Sequence, residues 1–339
     1  MNATTYFVIF ENMKHISVLV PQGDAALGTI EGPFKFFNFV NDFLAAMGRW
    51  PAFDVQLVGM TADPRKYSGV FTVVPDVTIH DLKKTDLVII PAVNGDRESV
   101  IDMNKAFFPW IIEQHENGAE VASLCVGAFL LAATGMLNGK SCTTHWMSAS
   151  DFKNMFPEVN LMDNRIITDE NGVYTSGGAN TFWNLLVYLV EKYVDRQMAI
   201  YTTKFFMIEI DRNTQSSFIM FTGQKEHEDV EVRKAQEFIE RSFQDKITVD
   251  QLSEMFAIGR RSFERRFKKA TSNSIVEYIQ RVKIEAAKKS FEVSRKNVTE
   301  LMYEVGYTDT KAFRSTFKKI TGLSPVEYRN KYNKSQISA

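Results

Sequence analysis

RRSFERRFKK, residues 260–269, and TKAFRSTFKK, residues 310–319, lie fifty positions apart and follow one pattern. Each spaces two phenylalanines by four, Phe263 with Phe267 and Phe313 with Phe317, and each closes on Lys-Lys. Side chains four apart share one face of an α-helix, so each stretch reads as a helix held down by an aromatic pair. Upstream of the first lies Thr248-Val249-Asp250-Gln251-Leu252-Ser253-Glu254-Met255-Phe256. Thr248 is an N-cap, Gln251 three residues on completes a capping box, and Leu252, Met255 and Phe256 face inward. Ala257-Ile258-Gly259 then makes a tight turn into the helix from Arg260 to Ala270. Helix, three-residue turn with glycine, helix is the helix-turn-helix layout. The second unit repeats it: Val298–Val305 with Leu301, Met302 and Val305 inside, a Gly306-Tyr307 turn, and Thr308 or Asp309 as the cap. Between the units, Ile275–Phe291 reads as one long helix with Val276, Ile279, Val282 and Ala286 on a stripe. A rigid helix of that length would fix the spacing of two units set about 34 Å apart on one DNA face.

The cations fall on the faces the phenylalanines leave free. In the first unit they are Arg260, Arg261, Arg265, Arg266, Lys268 and Lys269, with Arg261, Glu264 and Arg265 pointing away together. In the second they are Lys311, Arg314, Lys318 and Lys319. Arginine bonds guanine O6 and N7 with its fork, and neighbouring cations neutralise phosphates. A solvated basic face is the better reading of one such helix alone; the recurrence favours a partner. Residues 1–225 carry 17 Lys and Arg against 24 Asp and Glu, while residues 226–339 carry 23 against 17. An acidic part joined to a basic one means that only the second is suited to a polyanion.

Residues 230–331 resemble the AraC/XylS-type DNA-binding domain. The carriers are Gly306-Tyr307-Thr308-Asp309, Phe313, Phe317-Lys318-Lys319, Thr321-Gly322-Leu323-Ser324-Pro325 and Tyr328-Arg329. The resemblance implies base contacts from Arg261, Glu264 and Arg265 in the first unit and from Thr310, Lys311, Arg314 and Ser315 in the second. Ser315 stands where the family often has arginine, which weakens base reading by the second helix. Ser324-Pro325 starts a last helix that packs and does not bind.

The first 200 residues have another rhythm. Ile16–Pro21, Val55–Gly59, Leu87–Pro91 and Glu120–Leu124 are short apolar runs, as expected of strands buried on both faces. Longer helical patterns separate them: Gly32–Met47, with Phe36, Phe39, Val40, Phe43 and Leu44 on a stripe, then Val100–Asn117, Gly127–Thr134 and Asn180–Val194. The alternation predicts an α/β, doubly wound, mostly parallel sheet. Asn160–Thr175 reads as a hairpin turning at Asp169-Glu170-Asn171-Gly172. Gln197–Thr222 shows no clear regularity, Thr222–Asp229 is a polar junction, and Ser335–Ala339 is a frayed end. The expected domains are therefore 14–200, a linker 201–229, and a helical domain 230–331. With 339 residues, 45% of them hydrophobic, either part can bury a core. Two cysteines cannot make a disulfide framework; Cys125, Cys142 and His145 fall in no common ligand spacing and five histidines are few, so no metal site is expected. No apolar run reaches about 18 residues and no secretion signal opens the sequence, so a cytoplasmic protein without a membrane span is expected.

Ala122-Ser123-Leu124-Cys125-Val126-Gly127-Ala128-Phe129 ends a strand, turns at a cysteine and begins a helix. That is the geometry of a nucleophile elbow, and a helix N-terminus favours thiolate. His145, in Thr143-Thr144-His145-Trp146, is the candidate imidazole for a Cys–His pair. A buried structural cysteine and a satisfied pocket histidine are the alternatives. Residues 14–200 resemble the DJ-1/PfpI branch of the class I glutamine amidotransferase-like fold, in the form fused to AraC-type domains, the GlxA-like regulators. The elbow carries this, with Gly135–Gly139, Thr144-His145-Trp146, Tyr174-Thr175-Ser176-Gly177-Gly178 and the stretch Asp211–Phe218. Enzymes of the superfamily support the cysteine with a carboxylate near the first strand. Here that slot falls on Gly28 or Thr29, with Glu31 out of register, and Val126 stands where an adjacent histidine is expected.

In the fused regulators the resemblance implies an inducer pocket in place of an active site. The expectation is a ligand-responsive, sequence-specific DNA-binding transcriptional regulator, not an enzyme, acting as a homodimer on double-stranded DNA and needing no cofactor. A small polar metabolite would bind near Glu31, Gly95, Cys125, Val126, His145 and Trp146. The alternatives are a Cys-dependent hydrolase or amidase fused to a DNA-binding domain, and a thiol redox sensor.

Overall fold

The computed structural model describes residues 13–333, so the expected frayed end at Ser335–Ala339 lies outside the described residues. Two compact units divide between Gln215 and Ser216. The first is built on a seven-stranded sheet. Its strands in chain order are β1 (Lys14–Val20), β2 (Phe53–Gly59), β3 (Val77–Thr78), β4 (Leu87–Ile90), β5 (Glu120–Leu124), β6 (Ile167–Asp169) and β7 (Val173–Ser176). They lie in the order β6-β7-β5-β4-β1-β2-β3. Every pairing is parallel except β6 with β7. Val18 stands opposite Leu57 on one side and Ile89 on the other. Leu87-Val88-Ile89-Ile90 is buried at every position. A strand without polar alternation needs cover on both faces, which parallel crossovers supply.

The first unit's helices are α1 (Gly28–Ala46), α2 (Arg97–Asn104), α3 (Phe107–Glu116), α4 (Ala128–Ala133), α5 (Ala149–Met155), α6 (Phe182–Tyr193) and α7 (Arg196–Phe206). α1 packs on β1, β2 and α6. Phe36, Val40 and Leu44 are buried as expected, joined by Phe37, whereas Phe39 and Phe43 are half-buried against Phe205 and Tyr201 of α7. Three expectations are corrected. The helix expected over Val100–Asn117 is two, α2 and α3. Buried Asn104 ends the first, because its amide exchanges hydrogen bonds with the backbone of Gln22 at 2.8 and 3.1 Å. In the hairpin expected over Asn160–Thr175, only β6 and β7 pair; Asn160–Leu161 runs parallel to Ser141–Cys142. The irregular stretch from Gln197 contains α7, whose Met198, Ala199, Thr202 and Thr203 are buried. Residues 201–206 are thus helix rather than linker, and the first unit runs on to Gln215.

The second unit is helical: α8 (Val230–Arg241), α9 (Val249–Met255), α10 (Arg260–Thr271), α11 (Ile275–Val293), α12 (Val298–Glu304), α13 (Thr310–Thr321) and α14 (Pro325–Tyr332). It holds two cores. Val232, Ile239, Leu252, Phe263 and Phe267 form one with Ile275 and Tyr278 of α11. Leu301, Met302, Val305, Phe313 and Phe317 form the other with Ile284, Ala287 and Phe291 of the same helix. The fifty-residue repeat reaches beyond the phenylalanines. Thr271 and Thr321 each bond back to the carbonyl of Phe267 and Phe317 at 2.8 Å. Ser274 and Ser324 each cap a helix in a reciprocal box with Glu277 and Glu327. Tyr278 and Tyr328 then close each core and bond to Glu240 and Glu292. Three details differ from expectation. Thr248 does cap α9, bonding the Gln251 amide N–H at 3.1 Å, but no box is completed. Met255 is 47% exposed, one residue before the turn. Val276 is 52% exposed because the buried stripe of α11 runs through Ile275, Tyr278 and Ile279. Among the described residues no helix is long and apolar enough to cross a membrane.

Candidate nucleic-acid interface and ligand site

Each helix-turn-helix unit bends at a residue in the left-handed region, Ala257 (φ 51°) before α10 and Gly306 (φ 74°) before α13. Behind α10, Phe263 and Phe267 are fully buried with ring centroids 6.0 Å apart, and Phe267 meets Tyr278 at 5.3 Å. Behind α13, Phe313 and Phe317 are fully buried at 5.8 Å, and Phe317 meets Phe291 at 5.6 Å. Tyr278 and Phe291 are thirteen residues apart on α11, so the two sockets sit about 20 Å apart along its axis. One rigid helix carries both.

Burying one edge of α10 turns the opposite edge outward. Arg261, Arg265, Lys268 and Lys269 are exposed, and among the described residues none has a hydrogen bond or ion pair. The other expected members of this helix are engaged. Arg260 holds both oxygens of Asp250, at 2.9 and 3.1 Å, and Glu264 at 3.5 Å. Arg266 grips Asp229 with two bonds of 2.6 and 2.8 Å. The Arg266 hydrogen bond holds the Asp229 carboxyl below the usual carboxylate range, while Asp229 also caps α8. Arg266 is therefore turned towards the protein, a correction to its expected outward role. On α13, Asp309 rather than Thr308 is the cap. Thr310, Lys311, Arg314, Ser315, Lys318 and Lys319 are all exposed, and with Ser324 they line an open concavity of about 690 Å³.

In the first unit the elbow has the expected form. Leu124 is extended (φ −105°, ψ 122°), Cys125 has φ 56°, and a 3₁₀ turn over Cys125–Gly127 leads into α4. Gly127 is required there, because a Cβ would come within 2.6 Å of the Ile90 and Pro91 carbonyls. Burial pushes the Cys125 thiol up to about 11, against a smaller lowering by the Val126 backbone and the Arg97 guanidinium. The expected preference for thiolate is overturned, since desolvation outweighs the helix dipole. His145 is held below the usual histidine value by burial and then by Arg97. Its Nδ1 accepts the Met147 amide N–H at 3.2 Å, which leaves the neutral ring's proton on Nε2. Among the described residues no hydrogen bond joins Cys125 to His145, and no carboxylate bonds to either. Of Gly28 and Thr29, where the resemblance puts a supporting carboxylate, Thr29 uses its hydroxyl on the main chain: it bonds the Ala26 carbonyl at 2.7 Å and accepts from the Ala92 amide at 3.0 Å. Glu31 is exposed and paired with Lys35 at 2.6 Å.

Val126 is buried at the elbow, and His145 and Trp146 stack with centroids 5.5 Å apart. Gly95 (φ 116°) follows Val93–Asn94, which adjoins the elbow. The sequence reading missed Arg97, which donates to the Val93 carbonyl and the Ser148 hydroxyl and lies 4.7 Å from the Phe129 ring centroid. It also missed Gln215. That side chain is 2% exposed and its amide donates to the carbonyls of Thr144, Asp163 and Arg165 at 2.9, 2.9 and 3.2 Å. The Gln215 Oε1, Thr181 Oγ1, Ser176 Oγ and Ser123 Oγ atoms are buried without a hydrogen-bond partner. The first two sit around Gly178, where a Cβ would lie 3.6 and 3.2 Å from them.

A helix-turn-helix domain model matches residues 252–331, and a DJ-1/PfpI family model matches residues 30–192. The chain is 23% identical over 263 residues to the HTH-type transcriptional regulator GbdR of Pseudomonas aeruginosa (strain UCBPP-PA14), covering 76% of this chain and 69% of the relative. It is 21% identical over 292 residues to the HTH-type transcriptional regulator CdhR of Pseudomonas aeruginosa (strain ATCC 15692 / PAO1), covering 85% and 84%. A crystal structure of a protein from Vibrio parahaemolyticus shares the fold at a TM-score of 0.52 and 23% identity, covering 57% of this chain and 98% of that one.

Proposed function

We propose that this chain is a helix-turn-helix transcriptional regulator of AraC type with a DJ-1/PfpI domain, which reads double-stranded DNA with α10 and α13 while the first unit answers to a small polar metabolite. One observation carries the reading: two aromatic-backed helices mounted on α11, each turning unpartnered cations outward. Arg261, Arg265 and Arg314 are the base readers, with Glu264, Thr310, Lys311 and Ser315 beside them. Lys268, Lys269, Lys318 and Lys319 neutralise phosphates, and Arg260 joins them on giving up Asp250. The metabolite sits at the carboxyl ends of the strands, among Gly95, Cys125, Val126, His145 and Trp146, with Arg97 supplying the charge. Glu31, in the first turn of α1 and paired with Lys35, remains a candidate at its edge. Its binding shifts a conformational equilibrium and with it the affinity for DNA.

The thiol pushed up to about 11, with no carboxylate bonded to Cys125 or His145 among the described residues, favours a sensor over a hydrolase or a thiol redox switch. The protein works in the cytoplasm as a homodimer, a state supported by the exposed Tyr201, Phe205 and Met207 of the first unit. The test has two arms. Duplexes selected from a random pool by the full-length protein should yield a two-part motif one helical turn apart. A melting screen of small polar metabolites should find one that at about 100 times its Kd adds about 2.7 kcal/mol and changes affinity for the selected duplex. A pool without enrichment ends the DNA reading; a stabilising metabolite without effect on DNA ends the regulatory one.

A further inference from the structure

Lys283 lies in the middle of α11, between the residues that serve the two cores, and is 7% exposed. Among the described residues no carboxylate hydrogen-bonds its ammonium, although the charge of Asp245 acts on it. It donates to the carbonyl of Asp245, in the loop after α8, at 3.3 Å and to the carbonyl of Gly306, in the turn before α13, at 3.1 Å, with the Tyr307 ring centroid 5.6 Å away. One carbonyl lies in the loop that leads into the first helix-turn-helix, the other in the turn of the second. The two units also touch directly there. A Cβ on Gly306 would lie 2.0 Å from the Gln244 carbonyl, and Phe243 packs into the second unit's core. A buried cation is a costly way to fill space, and an apolar side chain of the same length is often at least as stable. What lysine adds is direction, because its donors are satisfied only when both carbonyls converge.

We propose that Lys283 is a positioning residue for DNA recognition: by clamping the Gly306 turn to the Asp245 loop it sets the angle between α10 and α13, and so the spacing of the two half-elements that the protein accepts. α11 alone fixes the distance between the units; the rotation of each about that axis is left to contacts such as this. The inference rests on both helices reading DNA, yet its readout is separate, because it concerns the spacing of two elements and not binding itself.

The experiment uses full-length protein and the two-part duplex it selects from a random pool. One base pair is inserted or removed between the elements, which turns one against the other by about 35°. Wild type should lose at least tenfold in affinity on either change. Lys283→Met should melt no earlier than wild type, bind a duplex holding one element as wild type does, and distinguish the three spacings less than threefold. Lys283→Arg, which keeps the two donations, should restore the discrimination. A folded Lys283→Met with wild-type spacing preference overturns the proposal. If that variant does not fold, Lys283→Gln, which can reach one carbonyl, takes its place with the same two outcomes. Failure of wild type to bind any duplex would instead strike the DNA reading beneath.

Discussion

Arg265 and Arg266 are neighbours of equal charge, and replacing each with alanine separates reading from folding. Arg265 is exposed and has no protein partner among the described residues, so its loss should leave stability within about 0.5 kcal/mol. A bidentate contact with one base pair contributes about 1–3 kcal/mol of discrimination. At about 1.4 kcal/mol per tenfold, Arg265→Ala should cost about 5- to 150-fold against the preferred base and flatten the preference there. Arg266 instead spends its fork on Asp229, in a pair whose side chains are 38% and 22% exposed. Solvent screening at such exposure holds that pair to about 0.2–1 kcal/mol. Arg266→Ala should therefore lower the urea midpoint of the second unit slightly and leave every base preference standing. The assay is fluorescence anisotropy of full-length variants on the selected duplex and its single-base variants, beside urea melts. Equal loss of base preference in both variants, or none in Arg265→Ala, refutes the assignment of α10 as a reader.

Three further outcomes follow from the geometry. With its thiol near 11, Cys125 carries on the order of 10²-fold less thiolate at pH 8 than a free cysteine of about 8.5, so mass-detected iodoacetamide labelling of the native protein should be slow and should climb with pH past 9; rapid labelling at pH 7 contradicts the buried thiol. His145 has a folded value below its unfolded one, so the unfolded chain takes up the proton first as pH falls. The stability it contributes is full above about 6.5 and is lost as pH drops from there towards the folded value; His145→Gln should lack that part of the acid loss, and parallel urea-midpoint curves from pH 8 to 5 count against it. Phe317→Ala and Phe267→Ala, each removing a fully buried ring, should each cost about 3–5 kcal/mol in urea melts; a loss below 1 kcal/mol would show that the repeat does not anchor its helices.

The strands were legible because burial on both faces forces a purely apolar run, and Glu120–Leu124 is bounded in the structure as the sequence reading has it. Periodicity works less well where a helix faces two environments. α7 buries Met198 and Ala199 but leaves Ile200, Tyr201 and Phe205 outward, so its apolar residues trace no single stripe and the stretch reads as irregular. The stripe on α11 was misread at one end for a related reason. Ile279 is buried and Val282 and Ala286 pack against the cores as expected, but Val276 faces out and Ile275 and Tyr278 take the core instead. The division of Val100–Asn117 depends on Asn104, whose partner Gln22 is 82 positions away.

The sites divide along the same line. An aromatic pair backed by cations signals an exposed helix whatever surrounds it, so the outward face of α10 could be proposed from composition and spacing alone. Which arginine stays free could not: Arg265 and Arg266 are about 100° apart on the helix, and the second is claimed by a carboxylate 37 positions upstream. Gln215 and Lys283 were less visible still, since their partners are main-chain carbonyls. Every residue carries a carbonyl, so such a contact leaves no mark on the residue types around it. A polar side chain that will be buried this way looks, in the sequence, like any polar residue of a loop or a solvated helix face. The elbow shows the converse. Its residue types announce a nucleophile, while the desolvation around Cys125 works against the thiolate and, among the described residues, no carboxylate bonds to Cys125 or His145. Residue type marks where chemistry can occur, while burial and main-chain geometry decide whether it does.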